Sequence, residues 1–249
     1  MVKKKEFAKR NISADKVLEL IDYLSVFKLL KIPLPPNKEQ ILLKLEEEKL
    51  IFKRLDKYHI TNLGAILFAN DLNEFEHLAR KVPRVILYDG NNKLKTIKEQ
   101  EGKLGYAVAF EKLVNYVNDK LPSNEEIGRV FRKQVNIYSE LAIRELLANA
   151  LIHRDFTVRG TSVMVEIFDN RIEISNPGKP LIDVNRFIDH SPESRNELLA
   201  SLMRRMNICE ERRSGVDKVI AQIEVYQLPA PEFIAGDNYT RVVMYSPKS

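Results

Sequence analysis

Three polar residues, Glu145, Asn149 and His153, are spaced by four in the segment ELLANALIHR. On an α-helix each lies only about 40° further round the axis than the one before, so their side chains share one stripe. A carboxylate, an amide and an imidazole on one stripe can bind a cation or exchange a proton. A polar row beside an apolar one is equally typical of the solvated face of an amphipathic helix. The spacing leaves both interpretations open.

Familiar nucleotide motifs are missing from the sequence. It has no GxxxxGK[ST] phosphate loop and no GxGxxG after a strand, which excludes P-loop and Rossmann sites. The letters HRD at 153–155 match a protein-kinase motif, but they follow a helix and no DFG or glycine-rich loop accompanies them, so we interpret the match as accidental. The four histidines lack ligand spacing, and Cys209 is the only cysteine, so the pattern predicts neither a zinc site nor a disulfide.

Composition and charge predict an ordinary globular chain. Its 249 residues, 44% of them hydrophobic, suffice for one large or two small domains. No apolar run is long enough to span a membrane, and the charged start MVKKKEFAKR is not a secretory signal, so we expect a cytoplasmic protein. The formal charge is +5, and five basic residues against Glu6 in that start account for +4. Such an arm could touch phosphates or be a solvated terminus.

The first part of the chain predicts two helices and a small hairpin. The first helix covers residues 13–32 behind a cap at Ser13, and the second covers residues 37–51. A hairpin over residues 51–61 then turns at Lys57. Helix followed by hairpin is the outline of a winged-helix module, although generic α+β packing gives the same outline.

The middle of the chain predicts a strand at 82–90, a helix at 104–121 and a brief helix behind the capping-box spacing of 123–126. The rest alternates between strands and helices. The expected elements are a strand at 128–138, a helix capped by Ser139, strands at 161–168 and 171–175, helices at 196–207 and 216–228, and strands at 231–237 and 240–247. This order predicts a mixed or antiparallel sheet with helices on one face, an α+β sandwich.

The order of three separated motifs resembles the nucleotide-binding fold of the GHKL superfamily, shared by gyrase, the Hsp90 chaperones, histidine kinases and MutL. These are the Glu145/Asn149 row, a hairpin that exits into NPG at 176–178, and SG at 214–215 before a helix. In that superfamily an E-x-x-x-N helix provides a glutamate that polarises the attacking water and an asparagine that binds Mg²⁺. The resemblance therefore implies that Glu145 is the catalytic base and Asn149 the metal ligand. One protein oxygen is sufficient because Mg²⁺ keeps several waters and binds phosphate oxygens.

The resemblance also assigns an adenine loop. Asn176 lies where the superfamily has its adenine-reading aspartate, and Gly178 is the glycine of that loop. An asparagine can still meet the adenine edge, but a carboxylate accepts the exocyclic amine more strongly. His153 and Arg154 would be phosphate neighbours.

The sequence of the expected lid over the phosphates differs from that of the relatives. Arg213, Ser214 and Gly215 lie where relatives tend to have GSG. An arginine does not take glycine backbone angles freely, so it hinders a close backbone approach to phosphate, whereas its guanidinium can bind phosphate directly.

A narrower resemblance covers nearly the whole chain from about residue 12. Segments such as ITNLGAILFA, ELAIRELLANALIHRDF and DNRIEISNPGKPL look like the C-terminal part of bacterial transcriptional regulators and RecG-like ATP-dependent DNA helicases. Such proteins usually carry a Schlafen-type (AlbA_2) domain before this region, so we expect the chain to begin just after it. We divide the sequence into a winged-helix-like segment at 1–68, a connecting α/β segment packed on the core at 69–122, and a GHKL-like domain at 123–249.

Two functions from different classes follow. The first is a domain that binds Mg²⁺ and ATP with weak or no hydrolysis; a helicase motor is not expected, since the P-loop is missing. The alternative is a DNA-binding regulatory or scaffold module whose helix and hairpin at 38–61 dock on DNA, with a degenerate nucleotide site. The expected partners are a nucleotide, DNA and the AlbA_2-type domain, and no membrane is expected. The sequence leaves open whether the chain forms a homo-oligomer.

Overall fold

The computed structural model of the chain describes residues 7–127, 132–187, 194–209 and 214–247. These ranges contain eight α-helices and eleven strands, an α+β fold with one mixed sheet of six strands. The helices are α1 Ala14–Leu20, α2 Tyr23–Leu30, α3 Lys38–Glu47, α4 Asn62–Phe68, α5 Tyr106–Asn118, α6 Glu140–His153, α7 Glu197–Arg205 and α8 Ser214–Val225. The strands are β1 Phe7–Ile12, β2 Ile51–Arg54, β3 Lys57–Thr61, β4 Arg84–Tyr88, β5 Thr96–Glu101, β6 Ser123–Ile127, β7 Arg132–Asn136, β8 Met164–Ile167, β9 Arg171–Pro177, β10 Glu232–Ala235 and β11 Tyr239–Tyr245.

The described residues form two compact units. The first lies within Met1–Val82, Gly102–Phe110 and Leu198–Ile208, and the second within Pro83–Glu101, Glu111–Glu197 and Cys209–Ser249. The division of the sequence at residues 68 and 122 stays a prediction. Within the described ranges, no helix combines the length and apolar character needed to cross a bilayer.

The first unit contains a small antiparallel sheet in the order β1-β3-β2. One face of the sheet is core, because the paired residues Ile51 and Ile60 are buried. Ser13 caps α1 as predicted, accepting a hydrogen bond from the Lys16 backbone at 3.2 Å. The helix and hairpin expected around 38–61 are present as α3, β2 and β3. Their interpretation as a winged helix stays a prediction.

Two expectations for the first unit were wrong. The single helix over 13–32 is two helices, because Ile21 has extended backbone angles and Asp22 starts α2 by accepting a hydrogen bond from the Ser25 backbone at 3.0 Å. The hairpin does not turn at Lys57, which is the first residue of β3. It turns at the preceding residues, where Leu55 takes the left-handed φ of 53°.

The second unit is built on the six-stranded sheet, ordered β10-β11-β9-β8-β4-β5. The β4–β8 pair is parallel and the other pairs are antiparallel, which confirms the expected mixed sheet. The predicted brief helix at 123–126 is wrong: these residues form β6, which pairs with β7 from Ser123 opposite Asn136. Pairing with β7 satisfies the backbone groups that the capping box would have served.

Helix α6 is the central helix of the second unit. Nine of its fourteen residues are buried, among them Glu145, so it packs on more than one side. Ser139 occupies the predicted N-cap position, but its hydroxyl donates to Gln222 Oε1 of α8 at 2.6 Å instead of capping the helix. This hydrogen bond ties the start of α6 to α8.

Candidate functional site

Glu145 and Asn149 lie where the start of α8 meets α6. Glu145 is 4% exposed, and Asn149 is half-buried. A Cβ added to Gly215 of α8 would lie 3.4 Å from Glu145 Oε2 and 3.3 Å from Asn149 Nδ2. The absence of a side chain at Gly215 therefore lets the start of α8 approach the carboxylate and the amide closely.

The start of helix α8 gives this part of the unit its electrostatic character. Helix α8 has twelve residues, and Gly215 is the second of them. The first N–H groups of a helix have no partner within the helix and carry a partial positive charge, so they attract anions. Side-chain oxygens that can bind a cation and backbone N–H groups that can bind an anion thus come together at one point.

The NPG loop is fixed at the far end of α6. Gly178 follows β9 with φ +110°, a conformation that favours glycine. A Cβ at Gly178 would approach Asp155 Cβ to 2.6 Å and Arg195 Nη1 to 2.7 Å. The Asp155 backbone also donates to the Pro177 carbonyl at 2.7 Å. The close approach of loop and helix end therefore requires glycine at position 178.

Asn176 is buried and is the second-to-last residue of β9. It pairs in register with Thr240 of β11, and the Thr240 hydroxyl donates to the Gly178 carbonyl at 3.0 Å. The Gly178 backbone donates to Asn238 at 2.7 Å. The loop is thus held by hydrogen bonds at the start of β11.

His153 and Arg154, expected beside phosphate, end helix α6. Burial and the nearby Arg195 cation lower the pKa of His153, so its imidazole is neutral at pH 7. Arg154 is fully buried; its guanidinium donates to the Thr161 carbonyl at 2.6 Å and lies 5.4 Å from the Phe156 ring centre. Both residues precede Asp155, which contacts the NPG loop, and their phosphate contacts stay a prediction.

Two residues that the sequence did not single out complete this end of the site. Arg195 donates to the Lys179 carbonyl at 2.9 Å and to the His153 carbonyl at 3.4 Å. Asn196 donates through one amide nitrogen to the carbonyls of Ile152 and Arg154, at 2.7 and 2.8 Å. These are the carbonyls that a helix end leaves without partners. Both residues lie some forty positions away in sequence, which gave no local signal for them.

The lid residues are described in part. Arg213 lies outside the described residues, so its expected phosphate contact stays a prediction. Ser214 is the first residue of α8, and Gly215 is the glycine beside Glu145 and Asn149.

The residues beside Gly215 suit magnesium better than zinc. In the described part of the chain no three histidine, cysteine or acidic side chains cluster as a metal-binding group. Mg²⁺ does not need such a cluster, because it binds through one or two protein oxygens together with waters and substrate phosphates. The Asn149 amide and the Glu145 carboxylate are oxygen donors of that kind.

Comparison with known proteins agrees with the fold. Residues 160–244 match a family model described as "Putative ATP-dependent DNA helicase recG C-terminal", which confirms the resemblance over that part of the chain. The match includes the NPG loop and Gly215 but not α6. No curated protein matches the chain.

A solved structure is similar over nearly the whole chain. It is the crystal structure of the DIP2311 protein from Corynebacterium diphtheriae, with a TM-score of 0.71 and 16% sequence identity over 99% of this chain. The chain spans about half the length of that protein, 48% of it. At this identity the similarity shows a shared fold.

Proposed function

We propose that the second unit binds an adenine nucleotide with Mg²⁺ at the place where α6 meets the start of α8. The observation that carries the proposal is the close approach of Gly215, at the start of α8, to Glu145 and Asn149: an added Cβ would lie within 3.4 Å of both side chains. The family match supports the choice of nucleotide, since the family it describes is named as ATP-dependent.

Each residue near Gly215 has a distinct proposed task. Asn149 offers its amide oxygen to the cation, and the first N–H groups of α8 donate to the phosphates. Glu145 is buried beside them, where a carboxylate can orient and deprotonate water. When bound, Mg²⁺ would neutralise phosphate charge. The arrangement brings acceptor and donor groups to the two charged parts of one ligand.

The adenine is assigned to the NPG loop. The end of α6 at His153 lies about 6 Å along the helix axis from Asn149, and the next residues bond to this loop. Asn176 is the proposed reader of the adenine edge, and Gly178 keeps the loop against Asp155. A nucleotide that reaches from this loop to Gly215 would place its ribose along α6.

Hydrolysis is proposed to be weak. Glu145 supplies a base, but the lid carries Arg213 where relatives tend to have glycine. A less flexible lid excludes water less completely, and that exclusion is what strengthens electrostatic catalysis. We assign to this chain nucleotide binding as an ATP-dependent regulatory domain; strand separation is not part of the proposal.

Thermal melting with different nucleotides tests the binding. Ligand at about one hundred times its Kd adds about 2.7 kcal/mol to the free energy of unfolding, which for a chain of this size raises Tm by roughly 5–10 °C. We expect such a rise with ATP and Mg²⁺ at millimolar concentration, and a smaller one with ATP and EDTA or with GTP. Equal shifts for all three mixtures, or none, would contradict the proposal.

Phosphate release tests the assigned base. The expected rate is far below that of ordinary enzymes, and Glu145→Gln should abolish it while leaving nucleotide affinity within about threefold. A rate unaffected by Glu145→Gln would remove Glu145 from the catalytic role. A parent rate comparable to ordinary enzymes would show that the lid is competent.

A further inference from the structure

The outer face of the three-stranded sheet carries a cluster of three aromatic rings, which we call the aromatic face: Phe7, Phe52 and His59. Each is on a different strand of β1-β3-β2, and Phe52 lies directly opposite His59. The ring centres are 5.1 Å apart for Phe7 and His59, 6.0 Å for Phe7 and Phe52, and 6.4 Å for Phe52 and His59. Phe52 is 43% exposed. Phe52 and the half-buried Phe7 thus give this face accessible aromatic surface beside the nearly buried His59 ring.

Basic side chains surround the aromatic face. Arg10 lies over the Phe7 ring at 5.1 Å, and Arg54 and Lys57 pair across β2 and β3 two residues beyond Phe52 and His59, on the same face. All three are exposed. In these three strands and the β2–β3 turn, the only acidic residue is Asp56, at the turn. The face therefore combines aromatic rings with a positive border.

Other basic residues of the same strands are engaged elsewhere. Lys9 pairs with the core-facing position of Ile60 and donates to the Glu74 carbonyl at 3.1 Å. Lys53 alternates with Phe52 and Arg54, and its ammonium lies 5.6 Å from the ring centre of Tyr58, its cross-strand partner. Lys53 and Arg54 are thus adjacent cations on opposite faces of one strand.

The centre of the aromatic face is uncharged. His59 is 9% exposed, and its Nδ1 has no hydrogen-bond partner among the described residues. Burial, together with the Arg10 and Arg54 cations, lowers the pKa of His59, so the ring is neutral at pH 7. Flat neutral rings inside a cationic border match the chemistry of unpaired nucleobases joined by phosphates.

We propose that the aromatic face binds single-stranded nucleic acid, with bases stacked on Phe52 and Phe7 and with phosphates on Arg10, Arg54 and Lys57. Duplex DNA keeps its bases stacked on one another and offers no ring faces to Phe52, whereas a single strand does. An acidic protein segment would pair with the cations but would offer no flat rings to stack on Phe52 and Phe7. The aromatic face belongs to the first unit and the proposed nucleotide site to the second, and this proposal does not depend on the proposed function.

Fluorescence anisotropy with a labelled oligothymidylate of about 15 nucleotides tests the proposal. The comparison ligands are an abasic strand of equal length, a duplex and polyglutamate. We expect the oligothymidylate to bind at least about tenfold more tightly than the abasic strand, since stacking on one ring has an effect of this size. Equal affinity for the abasic strand, tighter binding of duplex, equal binding of polyglutamate, or no binding would each overturn the proposal.

Three variants separate stacking from charge. Phe52→Ala should weaken oligothymidylate binding about tenfold and leave the abasic strand unchanged, whereas Phe52→Tyr should keep parent affinity. Arg54→Gln should weaken both strands and reduce the slope of log affinity against log salt by about 0.7. Its matched control is Lys53→Gln, on the opposite face, for which we expect no change. Equal effects of Arg54→Gln and Lys53→Gln would overturn the assignment to the aromatic face.

Discussion

Replacing Gly215 with alanine adds one methyl group at the close contact between α8 and α6 on which the proposed nucleotide site depends. The added Cβ lies 3.3 Å from Asn149 Nδ2 and 3.4 Å from Glu145 Oε2, closer than the usual 3.5–4.0 Å contact, so its neighbours must move by a few tenths of an ångström. We expect the methyl group to displace the cation and phosphate from Asn149 and from the start of α8.

Two opposing effects set the change in stability. Crowding of this size costs about 1 kcal/mol, and alanine gains up to about 1 kcal/mol over glycine within a helix. The net change in the free energy of unfolding should therefore stay within about 1 kcal/mol, which corresponds to at most about 4 °C in Tm. Loss of binding in Gly215→Ala then cannot be attributed to unfolding.

Calorimetric titration with ATP and Mg²⁺ measures the loss. We expect affinity at least about tenfold lower than in the parent, or about 1.4 kcal/mol. The control is Gly90→Ala, where φ is +83° and no atom lies within 4 Å of the added Cβ. It should lose about 1 kcal/mol of stability through backbone strain and keep parent affinity. Gly215→Ala with parent affinity would refute the assignment of the phosphates to the start of α8.

Three further predictions concern the NPG loop and the end of α6. Burial and Arg195 lower the pKa of His153, so as the pH falls through about 6.5 the unfolded state takes up a proton more readily than the folded state, and the free energy of unfolding decreases. Urea unfolding between about pH 5 and 7 should therefore show a weaker dependence of this free energy on pH in His153→Gln than in the parent. The same pH dependence in both proteins would contradict the burial effect. Gly178→Ala should lower the free energy of unfolding by about 3 kcal/mol and Tm by roughly 6–12 °C, because its Cβ would lie 2.6 Å from Asp155 Cβ and because the backbone φ of +110° disfavours alanine. An unchanged melting curve would contradict this strain. Asn176→Asp should raise the ratio of ATP to GTP affinity, because a carboxylate accepts the adenine amine more strongly, and an unchanged ratio would place adenine elsewhere.

Periodic and well-bounded elements were predictable from sequence. Helix α6 and the β8–β9 hairpin have regular apolar spacing and clear turn residues, and both lie where expected. Strands β1 and β5 were missed. The sequence of β5, TIKEQE, has no apolar alternation because all six residues are exposed, and β1 lies in what looked like a basic arm. Backbone pairing with a neighbouring strand makes these segments strands, and a local pattern does not contain that information.

The candidate site was predictable in its parts but not in its assembly. The four-residue spacing correctly placed Glu145 and Asn149 side by side, but only the packing of α8 brings Gly215 to them. The HRD letters were set aside as an accidental kinase match, although Asp155 contacts the NPG loop. Arg195 anchors the loop through contacts distant in sequence, which no local motif announces.

The most direct test of the nucleotide site is the magnesium dependence of ATP affinity in the parent and in Asn149→Ala. Calorimetric titrations with Mg²⁺ and with EDTA give this dependence for each protein. If Asn149 provides the cation ligand, Mg²⁺ should strengthen ATP binding to the parent about tenfold or more, and Asn149→Ala should lose most of that gain while keeping its affinity for ATP in EDTA within about threefold. Equal magnesium dependence in the two proteins, or a parent that binds no ATP, would contradict the proposed site.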